Sequence, residues 1–200
     1  MHAFPERSVL GIFLMALLML SACASGPAER FYVLEAVTAP APVRPQPTDG
    51  FVIGIGRIEI PAYLNRPQIV TRVQTNELKL NEYALWAEPL EHAVSRVMAL
   101  DLAALTGTVV EIDPWRRARR VAYRISAKLE RLDGVPGGEA VLDVQWVLED
   151  VRREVPPITR DTHLVRPVGK GEFSSLAQAY SELIADFSRE VAQEFARLPR

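Results

Sequence analysis

The feature that most restricts the fold of this chain is a pair of alternating segments joined by a glycine-rich turn. Val121, Tyr123, Ile125, Ala127 and Leu129 alternate with Arg124, Ser126, Lys128 and Glu130. The return segment sets Ala140, Leu142, Val144, Trp146 and Leu148 against Asp143, Gln145 and Glu149. A period of two places the apolar set on one face of a strand and the polar set on the other. Gly134-Val-Pro-Gly-Gly138 supplies the turn between them. A hairpin with one dry face commits the chain to a sheet whose dry side must be covered, the pattern of antiparallel sheets with helices on one side.

Two segments have the helical period needed for that cover. In 88–106, Leu90, Val94, Val97, Asp101 and Leu105 fall near helical spacing, Pro89 suits the first turn, and Gly107 suits a C-terminal stop. Asp101 lies close to the apolar stripe and needs an edge position or a paired carboxylate. The second helix is expected to be capped by Ser174 and to bury Leu176, Tyr180, Leu183, Ile184, Phe187, Val191 and Phe195.

Further strands are expected at 31–34, 51–60, 68–74, 78–81 and 159–168. In 51–60, Val52, Gly54, Gly56, Ile58 and Ile60 share one parity, while Arg57 and Glu59 take the other. The expected fold is therefore α+β: a mostly antiparallel sheet of about six strands with two main helices packed on one face. At 200 residues, 48% apolar and 24% charged, the chain suits a single domain with a real core, here 31–200. Its 38–50 stretch holds Pro40, Pro42, Pro45 and Pro47 and forms neither a helix nor a central strand. Two readings stay open for it, a polyproline spacer spanning about 40 Å or a surface loop between strands.

The N-terminus constrains location. The run Val9-Leu-Gly-Ile-Phe-Leu-Met-Ala-Leu-Leu-Met-Leu20 spans about 18 Å as a helix, short of a bilayer core of about 30 Å. It suits the apolar region of a signal peptide over 1–22. Leu20-Ser21-Ala22-Cys23 follows, and Cys23 is the only cysteine of the chain. These residues resemble a bacterial lipobox, which implies cleavage before Cys23 and lipidation of its thiol, with 23–30 as a tether. Three acyl chains would hold firmly where one holds marginally. Ala24 in place of an aspartate points to the outer membrane by the sorting rule of these lipoproteins, on its periplasmic face.

Catalytic equipment is sparse. A net charge of −2 argues against a general nucleic-acid binder. His92 and His163 have no ligand-spaced partner, so no metal is expected, and a lone cysteine builds neither an internal disulfide nor a Cys-rich cluster. No Gly-x-Ser-x-Gly elbow occurs. Gly54-Ile-Gly56 lacks a third glycine and a following helix, so it reads as close strand packing or a bulge. Glu91 and Asp101 stand about 15 Å apart along a helix, too far for paired-carboxylate chemistry. No cofactor and no enzymatic activity are expected. One basic cluster, Trp115-Arg116-Arg117-Ala118-Arg119-Arg120, suits an anionic lipid surface or an acidic partner, or is a solvated loop.

Ile53-Gly-Ile-Gly-Arg-Ile-Glu-Ile-Pro-Ala-Tyr-Leu-Asn-Arg-Pro-Gln-Ile-Val-Thr-Arg72 and Trp86-Ala-Glu-Pro-Leu90 resemble the PqiC family, also called YmbA-like or ABC-type transport auxiliary lipoproteins. The resemblance implies a non-enzymatic subunit of an MCE-type lipid transport system. In that role it docks a periplasm-spanning MCE-domain protein, fed by inner-membrane transport components, to the outer membrane. Lipid trafficking and envelope integrity follow from that role, and a ring of copies is one way to form the lipid path. Tyr63, Arg66, Gln68, Arg72, Trp86 and Glu88 are the residues this resemblance offers as partner contacts. Tyr63 and Trp86 capping the core, with Arg66 paired to Glu88, is the structural alternative. A stand-alone lipid carrier is the competing function and needs a half-open apolar cavity between sheet and helices.

Overall fold

The computed structural model describes residues 27–37, 51–116 and 120–198. The leader, Cys23, the proline-rich 38–50 segment, Arg117 and Arg119 lie outside the described residues. The described elements run β1 (Arg30–Tyr32), β2 (Val52–Glu59), β3 (Gln68–Gln74), β4 (Glu77–Trp86), α1 (Leu90–Thr106), β5 (Val109–Ile112), β6 (Val121–Gly134), β7 (Glu139–Asp150), β8 (Ile158–Pro167) and α2 (Phe173–Arg197).

Two sheets form instead of the one expected. A three-stranded sheet has the order β1-β4-β3 and a five-stranded sheet the order β5-β2-β6-β7-β8. Both are mixed: β1 runs parallel to β4, and β2 runs parallel to both β5 and β6. The β6–β7 hairpin and the β7–β8 pairing are antiparallel, and so is β3–β4. Alternation reveals which face of a strand is dry but not which strand lies beside it, so the parallel neighbours were invisible to it. β5 was missed because four residues are too few to show a period.

β2 also breaks its expected parity. Ile53 and Ile55 are fully buried beside Val52, and a register shift between Ile55 and Ile58 returns Ile58 to the core. Such a bulge turns the strand by one residue, which is why Arg57 and Glu59 are exposed on the side opposite to Ile58. β6 bulges in the same way between Leu129 and Arg131, after which Leu132 faces inward.

The helices cover one face of the large sheet and pack on each other. α1 begins at Leu90 because Pro89 takes an extended conformation as its N-cap, and Gly107 closes it in the left-handed region at φ 64°. Asp101 is fully buried rather than at an edge. α2 begins earlier than Ser174 predicts, with Glu172 as N-cap. The earlier start places the Phe173 ring edge-on against Tyr32, 6.1 Å between centroids. Leu176, Tyr180, Leu183, Ile184, Phe187 and Val191 are buried as expected, while Phe195 is partly buried. The Trp146 indole donates to Thr162 Oγ1 at 3.0 Å, and that hydroxyl donates to Glu190 at 2.6 Å. A buried indole N–H is thereby satisfied through the β8–α2 seam.

One ionic group joins the two sheets. Asp133, at the end of β6, is fully buried. Its Oδ2 accepts from Arg72 of β3, with Nε at 2.7 Å and Nη2 at 2.5 Å, and its Oδ1 accepts from Arg131 Nε at 2.7 Å. Arg72 also donates to the Thr75 carbonyl at 2.8 Å, which fixes the β3–β4 turn. Removing the carboxylate leaves two guanidinium groups without their shared acceptor. Asp133→Ala is expected to cost about 3 kcal/mol, measured as a lower urea midpoint, with the small sheet losing amide exchange protection first.

Candidate docking surface

The segment between β2 and β3 folds as a tight turn, with Leu64 N–H donating to the Pro61 carbonyl at 2.9 Å and Arg66 N–H to the Leu64 carbonyl at 2.8 Å. Leu64 inserts into the core and leaves Tyr63, Arg66 and Gln68 half-buried around it. Arg72 is occupied by Asp133, as described above. Trp86 is buried and stacks on Tyr180, 6.0 Å between centroids at 30°. Glu88 accepts from Arg96 Nη2 at 2.6 Å rather than from Arg66, and Arg96 reaches on to the Leu34 carbonyl at 2.7 Å. The motif residues are therefore distributed: Arg72 and Trp86 tie elements together, while Tyr63, Arg66, Gln68 and Glu88 retain some surface.

Two phenols around this junction, one buried and one half-buried, are electrostatically marked. Burial pushes the Tyr180 phenol well above its ordinary range, and the nearby Asp133 carboxylate adds to it. Tyr63 is raised for the same two reasons, burial first and Asp133 second, with Arg72 opposing. The Tyr180 hydroxyl is buried with no hydrogen-bond partner.

Of the basic cluster, Trp115, Arg116 and Arg120 are described. β5 and β6 flank β2 on opposite sides and run parallel to it. Trp115 lies on β2, its indole donating to the Ile55 carbonyl at 3.1 Å. A side-chain carbon on Gly54 would stand 2.8 Å from the Trp115 ring, so only glycine permits the contact. The Gly54-Ile55-Gly56 pattern is thus close packing, as expected. Arg116 and Arg120 are exposed. A cleft of about 390 Å³ is lined by Arg57, Asp113, Trp115, Arg124 and Glu149, and Arg124 holds Glu149 at 2.5 Å.

A second cleft, of about 550 Å³, lies between the end of β2 and the start of α1, with Arg57, Glu88, Glu91, His92 and Arg96 in its lining. Among the described residues no group of three or more His, Cys, Asp or Glu is placed to hold a metal. His163, the other histidine of the folded body, lies against Asp143 at 2.5 Å on an exposed strand face. Among the described helices none is long and apolar enough to cross a membrane. A third cleft, apolar and open, runs along β1, β4 and the start of α2, with Arg30, Tyr32, Leu80, Tyr83 and Phe173 among its lining.

Residues 32–192 match the family described as the ABC-type transport auxiliary lipoprotein component, and the chain belongs to that family. The family is a non-enzymatic transport accessory, and it agrees with the resemblance carried by 53–72 and 86–90. No curated protein matches the chain in sequence. Two crystal structures share its fold. One, of an uncharacterised protein, superimposes with a TM-score of 0.68 at 18% identity, covering 84% of this chain and 99% of the other. The other, protein XCC0632 from Xanthomonas campestris, gives 0.64 at 16% identity with the same coverage.

The raised phenols set a pH dependence. An acid whose proton is held more tightly in the folded state stabilises fully below its unfolded pKa of about 10, and that contribution is lost as pH rises beyond it. Unfolding free energy is therefore expected to fall above about pH 10, in part through Tyr180. Tyr180→Phe removes an unpartnered hydroxyl and should flatten that fall while changing neutral-pH stability by less than about 1 kcal/mol, read from denaturant titrations at pH 7 and pH 11.

Proposed function

We propose that this chain is an outer-membrane lipoprotein, held on the periplasmic face by acyl chains on Cys23, that docks a periplasm-spanning MCE-domain protein of an ABC-type lipid transport system. The observation that carries this reading is the family match over 32–192 joined to a leader that ends Leu20-Ser21-Ala22-Cys23. Such a role needs an anchor, a rigid body and an exposed surface, and no reactive group.

The packing supports docking over solitary lipid carriage. A carrier needs space between sheet and helices, and the space between the large sheet and the helices is filled by Ile53, Ile55, Val97, Met98, Leu102, Leu183 and Phe187, each at most 1% exposed. The motif residues that keep some surface, Tyr63, Arg66, Gln68 and Glu88, and the cluster at Arg116 to Arg120 are the proposed contacts with protein partners. Arg120 and Asp133 sit at opposite ends of β6, about 40 Å apart for a strand of that length. The N-terminal segment joins the body at the Asp133 end, where Arg30 bridges to Glu172 at 3.0 Å. Arginines at the far end favour an acidic partner protein over the leaflet that holds the anchor.

Two measurements test the reading. Replacing residues 1–23 by a secretory leader that is cleaved without lipidation should move the protein from the membrane to the soluble fraction of the periplasm, with an unchanged circular dichroism spectrum. The lipidated parent should co-purify with an MCE-domain protein, and changing Arg116, Arg117, Arg119 and Arg120 to serine should weaken that capture at least several-fold. An unmodified thiol at Cys23 in envelope-derived protein, or no MCE capture, would overturn the proposal.

A further inference from the structure

The parallel pairing of β1 with β4 gives the body a direction relative to its anchor. Arg30 faces Ala84 and Tyr32 faces Trp86, so the chain upstream of Arg30 heads along β4 towards the β3–β4 turn. Pro27 and Ala28 already line the apolar groove together with Lys79 to Ala84. Cys23 lies four residues before Pro27, which limits its distance from this groove to about 14 Å of extended chain. The anchor point and the β3–β4 turn therefore belong to the same end of the molecule.

That end is also where the body leaves apolar side chains uncovered. From Val73 through Leu80 every residue of the β3–β4 hairpin is exposed. Val73 is 52% exposed, Leu78 37%, Leu80 46% and Tyr83 46%. A protruding hairpin with apolar side chains on two strands is costly in water unless something covers it. With Arg72 held by Asp133, the hairpin's exposed charges are Lys79 against Glu77 and Glu82, so no electrostatic attraction to an anionic leaflet is called for.

Resting on the reading of Cys23 as the anchor, we propose that the β3–β4 hairpin is a bilayer-contact element that seats Leu78 and Leu80, which share one face of the hairpin as the partners of Arg72 and Val70, in the interface of the membrane holding the anchor. Tyr83 stands at the headgroup level, where an amphipathic ring is favoured. Lys79 extends its ammonium towards the phosphates while its methylenes stay with the apolar side chains. The lipid anchor brings the hairpin to the surface, and the hairpin then fixes how the body stands on it. Because the contact is apolar, it operates on zwitterionic lipid and persists at high salt.

The test uses the full-length acylated protein in phosphatidylcholine vesicles that carry a quencher on the acyl chains. With Cys23 occupied by lipid, Leu80→Cys and Val155→Cys each introduce one labelling site for an environment-sensitive fluorophore. Both are exposed apolar positions, and Val155, 52% exposed, lies in the β7–β8 connection at the opposite end. The expected result is a blue-shifted label at position 80, quenched several-fold more than the label at 155 and unchanged by raised salt. Vesicle flotation with both labels equally unquenched overturns the proposal alone and assigns the hairpin to a protein partner or a second copy. Loss of flotation shows that Cys23 is not the anchor and overturns both readings.

Discussion

The carboxylate of Asp133 is the constraint on which the arrangement of the two sheets depends. A fully buried ionised group is costly unless its lone pairs are met by opposite charge and hydrogen bonds. Two arginines meet it here, one from β3 and one from β6 itself. Since β2 ends partway along β6, β3 takes up position beside the remainder of that strand, and Arg72 can reach Asp133 only in that placement. The same arginine fixes the Thr75 carbonyl, so the junction between sheets and the turn of the small sheet's hairpin are set by one side chain. Trp86 and Tyr180 then close the junction from the helix side.

This explains how much of the molecule was legible in the sequence. The β6–β7 hairpin, β3, β8 and both helices follow from period, turn residues and terminal signals, because each is a local property. The parallel neighbours of β2 are not local, and its bulge scrambles the only pattern that could have hinted at two covered faces. Ser174 has the right chemistry for a cap, yet the helix starts before it because Phe173 packs on Tyr32. Gly54 reads in the sequence as close packing or a bulge, and the structure supplies a packing partner in Trp115, a residue 61 positions later that no short-range rule connects to it.

The motif residues show the same division. The family resemblance singles out Tyr63, Arg72 and Trp86, but it does not say whether the demand comes from inside or outside the chain. Burial and partners answer for Arg72 and Trp86: the demand is internal. In a small accessory module the residues that define the fold leave the strongest mark on the sequence, whereas an exposed surface such as Val73 to Leu80 looks ordinary until the topology shows where it points.

The three-residue pairing of β1 with β4 has a mechanical consequence. A pull on the N-terminal segment acts along the strand axis, so the backbone hydrogen bonds of that ladder are loaded together in shear instead of being unzipped one after another. The exposed Arg30–Glu172 bridge carries part of the same load into the start of α2. Tension arriving from the N-terminus is thereby spread into a sheet and a 25-residue helix, and the short first strand acts as the fitting through which the whole body is held.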